Sequence, residues 1–380
     1  MKYVFLITAI LFTYSQKLNA KNTPYSLDRS DSTLQSDFVQ EKITDNLYVL
    51  KSPNYNTNAG VFIGTEAVLL IDPMTGPNNH QNLLNAVKRL SRKPIKYVIN
   101  THSHPDHSGA NSFFAKQGAK IISHENFKYT NAQYDQTFKD TFSLNMGNET
   151  VELHHIAAHT FDDALVYFKN SNAVFMGDTY MTNSFPHFYY GGGGKGHLEI
   201  IDKTLSLGNA HLTIIPAHGK LSSNKTELNT YKANTIKWIN RIEQLYNGGK
   251  TTEEVANDQQ IKQLSTVFNN GNNVGSQSII RTIDKTIAAD LIPSVQLPES
   301  RFKQFEGTYR YSNGQVDEII YENGKLLFRS KGLYIFEIIP LSETKFQVRG
   351  QFPVKHLTFN TATSSFEYFN GKESLRATKQ

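Results

Sequence analysis

The sequence predicts an α/β protein with two sheets packed face to face and helices outside, followed by a small all-β domain. Within 37–291, apolar runs alternate with stretches of helical periodicity, but without the regular winding of a parallel sheet. Within 300–380, short alternating runs are separated by Asn-Gly turns, a pattern typical of antiparallel strands. A chain of 380 residues can hold both domains.

The predicted elements of the first domain follow in chain order. The predicted strands are 43–50, 59–63, 67–72, 95–100, 119–123, 151–157, 164–168, 173–176 and 211–216. The predicted helices are 83–90 with a cap near Asn79, 109–116, part of 126–138, 198–207, 228–246, one opened by a capping box at 251–254, and 276–291. The second domain has predicted strands at 305–311, 316–321, 325–329, 335–339, 345–349, 357–359 and 366–369.

Three further segments complete the predicted organisation. Residues 1–20 combine a charged start with an apolar run too short for a comfortable membrane span, so we predict a secretory signal peptide, with an uncleaved anchor as the alternative. Residues 21–36 are polar and predict a mobile lead-in, and 292–299 contain two prolines and predict a linker. We therefore expect an exported protein, periplasmic or extracellular, without a stable membrane span after cleavage.

Composition excludes several kinds of chemistry. The chain has no cysteine, so disulfides, thiol nucleophiles, thiolate ligands and a lipid-modified cysteine are ruled out. The net charge of +5 is modest and the basic residues are scattered, so no nucleic-acid partner is expected. Neither observation fixes the oligomeric state.

Four potential metal ligands lie within six residues directly after the predicted strand 95–100. His102 and His104 are two residues apart, so in an extended segment their side chains point the same way. Pro105 disfavours helix at His104, which leaves Asp106 and His107 free to point elsewhere. One short loop therefore has the residues to supply two adjacent metal positions; the alternative is a surface loop that is merely rich in histidine.

Three later residues have the same context. His159, Asp178 and His218 each come directly after a predicted strand. Strand ends at a common edge of an α/β layer are where sites are usually built. These residues bring the predicted ligand set to seven side chains from four loops.

This ordered series resembles the metallo-β-lactamase superfamily, whose signature is H-x-H-x-D-H followed by His, Asp and His. The resemblance covers about 43–291 and implies the αβ/βα four-layer sandwich of the metallo-β-lactamase fold. It also implies one metal site of His102, His104 and His159, and a second of Asp106, His107 and His218, with Asp178 bridging them. The implied cofactors are two Zn²⁺ ions; iron and manganese accept the same ligands.

The resemblance implies hydrolysis of a small-molecule substrate. A water held between two divalent ions loses its proton near neutral pH and can attack a carbonyl carbon, while Asp106 orients it and receives a proton. Asp178 stands where β-lactamases with a cysteine ligand have that cysteine, which favours lactonase-like and glyoxalase II-like relatives. Gly109 is followed by Ala110, where the family usually has a second glycine.

Other residues near the series have open roles. Tyr190 and Lys195 are predicted substrate contacts, beside the Gly191–Gly194 run, with a solvated loop as the alternative. Asp162 and Asp163 either support His159 or cap its loop. His154 and His155 lie on a predicted strand, where a core or surface position is the simpler interpretation.

Three functions remain open at this stage. The first is an exported dizinc hydrolase that cleaves a β-lactam, lactone or ester. The second is a metal-dependent phosphodiesterase or sulfatase, for which Lys195 and Lys220 are the basic residues at hand. The third is a non-catalytic metal-binding scaffold. No cluster of ionisable residues in the C-terminal domain indicates catalysis, so we expect that domain to pack on the core, shape substrate access or mediate assembly.

Overall fold

The structure, a computed structural model, describes residues 38–52, 56–331 and 334–380. The first sheet has seven strands in chain order. They are β1 (Val39–Lys42), β2 (Leu47–Lys51), β3 (Asn58–Ile63), β4 (Val68–Ile71), β5 (Ile95–Ile99), β6 (Lys120–His124) and β7 (Gln136–Phe138). The strands from β1 to β4 pair antiparallel, and those from β4 to β7 pair parallel.

The second sheet has six strands, in the reverse of chain order. They are β8 (Thr141–Asn145), β9 (Thr150–His155), β10 (Ala164–Phe168), β11 (Ala173–Phe175), β12 (Thr213–Ile215) and β13 (Ser223–Asn224). The β11–β12 pair is parallel and the other pairs are antiparallel. As a result β9, β11 and β12 run in the same direction and end at one edge.

Helices lie outside both sheets. In the sandwich they are α1 (Pro77–Leu90), α2 (Pro105–Ser108), α3 (Asn111–Ala115), α4 (Gly193–Ser206), α5 (Lys225–Asn247), α6 (Thr252–Ala256), α7 (Gln259–Phe268) and α8 (Ser276–Asp290). Short 3-10 helices add 125–129 and 177–179.

Three buried clusters define the layers of the sandwich. One joins the facing sides of the two sheets, with Phe62 and Phe168 at a ring distance of 5.4 Å. Another packs α1 and α3 on the first sheet. The third packs α4, α5, α7 and α8 on the second sheet around the fully buried Trp238. This confirms the predicted αβ/βα four-layer sandwich.

The C-terminal domain is a closed antiparallel barrel behind a short helix, α9 (Glu299–Phe305). Its strands are β14 (Gly307–Tyr311), β15 (Val316–Glu322), β16 (Lys325–Ser330), β17 (Tyr334–Pro340), β18 (Lys345–Val348), β19 (His356–Asn360), β20 (Ser365–Phe369) and β21 (Ser374–Lys379). Closure comes from pairing of β14 with β21. Stacked aromatic rings, among them Phe305 on Phe359 at 4.1 Å, fill the interior.

Several element boundaries differ from the predictions. The strand predicted at 43–50 begins only at Leu47, because 43–46 form the turn that follows β1. α1 begins at Pro77, where proline suits the first helical turn, and its N-cap is Gly76 rather than Asn79. α4 begins within the glycine run, five residues earlier than predicted. The predictions omitted β1, β7, β8, β13, β21, α2, α7 and α9.

The barrel packs against the sandwich within one compact unit. The Gly350 amide donates to the Ala288 carbonyl at 2.9 Å, and a Cβ on Gly350 would lie 2.1 Å from the Tyr189 carbonyl oxygen. At a second contact, Glu322 accepts from Lys128 Nζ at 3.3 Å. Arg329 Nε donates to the Tyr129 carbonyl nearby, also at 3.3 Å. Backbone and side-chain hydrogen bonds therefore fix the barrel on the sandwich.

Two sequence predictions fall outside the described residues: the signal peptide at 1–20 and the lead-in at 21–36. Among the helices that the structure describes, none has the length and apolar character needed to cross a bilayer.

Candidate metal centre

The seven predicted ligands meet at one edge of the sandwich. His102 and His104 follow β5, and His159, Asp178 and His218 follow β9, β11 and β12. Because these three strands of the second sheet run parallel, their carboxyl ends share an edge. The fold therefore brings together ligands that are up to 116 positions apart in the numbered sequence, from 102 to 218.

Pro105 divides the histidine-rich loop into two parts. His104 has extended backbone angles, φ −57° and ψ 145°, and precedes α2 as its N-cap. Pro105 occupies the first helical position, so Asp106 and His107 lie on a helical turn rather than in the extended segment. This change of conformation gives the loop two directions of side chains, as the sequence predicted, although the second half is helical.

Two groups of ligand atoms result. The first consists of His102, His104, His159 and Asp178, and the second of Asp106, His107 and His218. Within each group all ligand atoms lie within 4.8 Å of one another. The spacing and the mixture of imidazole and carboxylate are compatible with divalent metal ions.

The carboxylate of Asp178 lies between the two groups. Its Oδ2 atom is 3.5 Å from His159 Nε2 and 3.9 Å from His102 Nε2. Its Oδ1 atom is 3.0 Å from His218 Nε2 and 3.2 Å from His107 Nε2. One oxygen therefore faces the first group and the other oxygen faces the second.

Asp106 belongs to the second group alone. Its Oδ2 atom is 3.4 Å from both His107 Nε2 and His218 Nε2. Thr57 Oγ1 donates to the same oxygen at 3.4 Å. With its side chain 38% exposed, Asp106 is the most open of the carboxylates at the centre.

Residues outside the two ligand groups contact the Nδ1 atoms of four imidazoles, those of His102, His107, His159 and His218. The Nδ1 atoms of His159 and His218 lie 2.9 and 3.0 Å from the backbone carbonyls of His187 and Asn56. In both rings this leaves Nε2 for the centre. His104 is turned the other way, with its Nδ1 atom 3.0 Å from His159 Nε2. Such outer contacts fix the ring orientation and tautomer of metal-binding histidines.

Asp72 is the outer partner that sequence reasoning missed. Its Oδ2 atom lies 2.9 Å from His107 Nδ1 and accepts from Thr101 Oγ1 at 2.7 Å. Oδ1 accepts from the Thr101 amide at 2.8 Å, and Thr101 Oγ1 in turn lies 3.2 Å from His102 Nδ1. Asp72 follows the buried strand β4, which runs parallel to β5. This position after a buried strand is the one sequence signal that Asp72 shares with the predicted ligands.

The electrostatics differ between the two groups. Burial lowers the pKa of His102 and of His159 well below the ordinary value, so both imidazoles are neutral, the form that binds metal. Burial also opposes protonation of His107, but the Asp72 and Asp178 carboxylates raise its pKa well above the ordinary value. The second group thus carries a surplus of negative charge.

The carboxylates act on His218 in the same way, and the positive charge of His107 acts in turn on Asp178. Burial lowers the pKa of His218, yet hydrogen bonds to Asp106 and Asp178 raise it to about 9. Burial would favour the neutral acid at Asp178, yet the His107 charge holds the pKa of this carboxyl well below its usual range. A centre that stabilises added positive charge is suited to a cation.

A buried ligand atom without a protein partner gives a direct test of the fit. Among the described residues, the Nε2 atom of His102 is buried and has no hydrogen-bond partner. A buried polar atom left unpaired costs about 1–3 kcal/mol. Because Thr101 already contacts Nδ1 of this ring, a metal ion is the partner that the Nε2 position fits.

Close backbone approaches support the ligand loops. Gly177, at φ +55°, precedes Asp178, and a Cβ there would lie 2.5 Å from Thr101 Oγ1. A Cβ on Gly191 would lie 2.1 Å from the Thr160 carbonyl oxygen, beside His159. The glycine run therefore packs against the His159 loop and allows this approach.

Asp163 completes the support of the His159 loop. Its carboxylate accepts from the amides of Ala158 and Thr160 at 3.2 and 2.8 Å, and from Thr160 Oγ1 at 2.7 Å. Of the two roles left open for it, the structure shows the loop cap. Asp162 instead lines the cavity described next.

A cavity of about 870 Å³ opens beside the centre. The sandwich contributes His104, Phe161 and Tyr190 to its lining, and the barrel contributes Phe336 and Lys355 among others. This volume is in the range of small-molecule sites, about 300–1,000 Å³. The barrel therefore packs on the sandwich and forms one wall of the cavity, which agrees with two of the roles expected for it, although no sequence motif indicated the lining residues.

Among Tyr190, Lys195, Lys220, His154 and His155, only Tyr190 lies at the cavity. Tyr190 lines the cavity, with its ring centre 5.8 Å from that of His159, and its hydroxyl accepts from Lys285 Nζ at 2.8 Å. Lys195 is exposed on α4 and is not among the residues that line the cavity. Lys220 pairs with Glu227 at 3.0 Å. His154 and His155 are outside both ligand groups.

Comparison with known proteins agrees with the fold and the ligand order. Residues 53–218 match the family model described as the Metallo-beta-lactamase superfamily. This segment, which is less than half of the chain, is similar to that superfamily.

Two curated relatives are informative. Metallo-beta-lactamase type 2 from Elizabethkingia meningoseptica is 28% identical over 150 residues, which are 35% of this chain and 59% of the relative. A probable hydroxyacylglutathione hydrolase from Schizosaccharomyces pombe is 30% identical over 141 residues, 36% of this chain and 54% of the relative. The chain thus spans about half the length of the curated relatives it matches.

A solved structure supports the fold alone. The stereoselective inverting sec-alkylsulfatase Pisa1 from Pseudomonas sp. superimposes with a TM-score of 0.53 at 15% identity. The match covers 70% of this chain and 56% of that one. It shows that the sandwich architecture is shared.

Proposed function

We propose that the protein is an exported hydrolase that holds two divalent metal ions, zinc in the first instance, and cleaves a carbonyl bond of a small molecule. The observation that carries this proposal is the position of Asp178, one oxygen toward each ligand group. When bound, such ions polarise the scissile carbonyl and lower the pKa of a coordinated water.

The residues of the chain have distinct roles in this proposal. His102, His104 and His159 would hold one ion, and Asp106, His107 and His218 the other. Asp178 would contact both ions and fix their separation. Asp106 is ionised, because the His107 and His218 hydrogen bonds outweigh its burial and hold its pKa well below the usual range. Its exposed carboxylate would orient the attacking water and receive its proton.

The relatives support carbonyl chemistry without choosing the bond. Their printed names describe a β-lactamase and a hydroxyacylglutathione hydrolase, which act on an amide and a thioester respectively. We therefore propose a β-lactam, lactone, ester or thioester substrate. Turnover by the zinc-loaded protein would be measured on nitrocefin, acyl-homoserine lactones, a panel of p-nitrophenyl esters and an acyl thioester. Inactivity on all four would contradict the proposal.

Elemental analysis would distinguish a site with one metal ion from a site with two. We expect about two divalent ions in each chain of the protein purified without added metal. Asp178→Ala should lower the occupancy of both positions, because each oxygen of this carboxylate faces one group. A content of one ion or fewer in the unmutated protein would contradict the dinuclear assignment and support the scaffold alternative.

A second candidate is hydrolysis at sulfur or phosphorus. Lys331 and Lys355 line the cavity and would favour a sulfate or phosphate ester. They lie on the barrel wall, however, and not among the ligand residues that would surround the reacting group. Faster turnover of bis-p-nitrophenyl phosphate or p-nitrophenyl sulfate than of every carbonyl substrate would establish this alternative.

A further inference from the structure

The cavity beside the metal centre has an uneven distribution of charge. Its sandwich wall carries His104 of the first ligand group and one carboxylate, Asp162. Its barrel wall carries two lysines, Lys331 and Lys355. In the described part of the lining these two are the only lysine or arginine residues. The cationic end of the cavity is thus contributed by the C-terminal barrel.

The two lysines have no carboxylate partner. Among the described residues, no Asp or Glu oxygen lies within 4.0 Å of either Nζ atom. Lys355 Nζ instead donates to the neutral Gln351 amide at 3.2 Å. Lys355 is half-buried and Lys331 is exposed. Half-buried cations are normally paired, so Lys355, which faces the cavity beside Lys331 without a carboxylate, is available to an external anion.

Local structure holds both lysines at this position. Lys331 has a left-handed backbone, φ +55°, and its amide donates to Asp317 Oδ1 at 2.8 Å. Asp317 is fully buried and also accepts from Tyr311 Oη at 2.7 Å. Lys355 precedes β19, and it lies close enough to Lys331 for that charge to lower its pKa further, beyond the effect of burial. The turn is therefore anchored from inside the barrel.

We propose that Lys331 and Lys355 form an anion subsite, and that the substrate is an acyl compound with a carboxylate distant from its scissile bond. With the scissile carbonyl at the metal centre, the carboxylate would contact the barrel wall. Phe161, Ile335 and Phe336 would contact the apolar part between them. This placement of the scissile bond rests on the proposed function, whereas anion binding by the lysines does not.

Binding without turnover tests the subsite itself. The full chain in chelating buffer would be titrated calorimetrically with glutarate, neutral glutaramide and inorganic sulfate. We expect glutarate to bind, glutaramide not to bind, and Lys355→Met to weaken glutarate binding about 10-fold or more. Lys345→Met removes an exposed barrel lysine outside the cavity and should leave binding unchanged. Lys355→Arg should retain most of the affinity.

Two results would overturn the subsite. One is equal glutarate affinity in the unmutated chain and in the Lys331→Met/Lys355→Met double variant. The other is tighter binding of sulfate than of glutarate, which would assign the lysines to a sulfate-bearing ligand. Far-ultraviolet circular dichroism of each variant would identify any that has lost its fold, in which case Lys355→Arg and Lys355→Gln would decide the same question.

Kinetic measurements would then test whether the subsite binds the substrate during turnover. The zinc-loaded chain should hydrolyse mono-4-nitrophenyl glutarate with a kcat/KM about 10-fold above that of 4-nitrophenyl pentanoate. Lys355→Met should abolish this preference through KM, with kcat nearly unchanged, since the lysine is remote from the reacting atoms. If neither ester is hydrolysed while glutarate binding depends on Lys355, the ester reaction fails and the subsite stands.

Discussion

Two groups of buried histidines in this protein have different surroundings at their ring nitrogens. At the metal centre, outer partners such as Asp72 contact Nδ1, and the Nε2 atoms of several rings converge on Asp178. In the second group, His124 and His155 stack face to face at 3.6 Å with an angle of 15° between their rings. Phe138 packs edge-on against His124 at 5.6 Å.

The difference shows what distinguishes a ligand cluster from a core pair. Both groups are buried, and burial lowers the pKa of His124 to about 3 just as it lowers that of His102. Only the first group directs ring nitrogens from several loops at shared carboxylates. Stacked rings cannot converge on one ion, so the His124–His155 pair is interpreted as packing.

The largest expected effect is loss of the centre itself. His104→Ala should reduce turnover more than about 100-fold and remove at least one metal ion, because even outer partners of ligands are worth 10–100-fold. The measurements are kcat/KM and elemental analysis. The matched control is His155→Ala, which removes the half-buried histidine of the stacked pair and should retain full metal content. Intact turnover in His104→Ala would refute the ligand assignment.

Asp72→Asn should have the next largest effect. The amide keeps the shape of the side chain and tolerates the positive φ of 49° at this position. It loses the charge that orients and stabilises His107. We expect metal affinity to fall about 10–100-fold, measured by competition with a chromogenic chelator. Unchanged affinity would mean that Asp72 supports only Thr101.

The sequence could predict those features that depend on residues close together in the chain. The spacing of His102, His104, Asp106 and His107 is local, and the strand before each later ligand is visible as an apolar run. The ligand set could therefore be predicted, and the structure brings its members together. Asp72 follows a strand in the same way, but no motif distinguished it from an ordinary strand end.

The fold was predictable to a similar degree. Sheets, outer helices and the β-rich C-terminal part follow from periodicity, whereas α9 and β21 gave weak signals at a linker and at the chain end. The barrel wall of the cavity depends on docking contacts such as Gly350 with Ala288, 62 positions apart in the sequence. Periodicity carries no information about such contacts, so Lys331 and Lys355 could not be predicted.

A smaller effect is expected on the pH dependence of stability, to which His124 of the stacked pair contributes. The pKa of His124 is about 3 in the folded state against 6.5 ordinarily, so the unfolded chain binds more protons between these values. Stability contributed by neutral His124 is therefore present above pH 6.5 and is lost as the pH falls toward 3.

We expect the loss of unfolding free energy between pH 7 and pH 4 to be about 2 kcal/mol smaller in His124→Asn than in the unmutated chain. Asparagine keeps the acceptor for the Asn126 amide. Urea titrations in chelating buffer at both pH values would measure the difference. His211→Asn, at an exposed histidine, is the control, and an equal slope in all three proteins would contradict the assignment.

The smallest effects concern the two predicted substrate contacts. Tyr190 lines the cavity beside the centre, and its hydroxyl accepts from Lys285. Tyr190→Phe keeps the ring and loses this hydrogen bond from the Lys285 ammonium. Because that bond orients Tyr190 and is not made to the substrate, KM should rise only about 2- to 5-fold with kcat retained, which is a smaller effect than the ~1.5–3 kcal/mol that a hydrogen bond to a charged group contributes. Lys195→Ala should change neither parameter, because this side chain is exposed outside the cavity lining. A larger KM effect in Lys195→Ala than in Tyr190→Phe would show that substrate extends over the start of α4 and would move the substrate site away from the barrel wall.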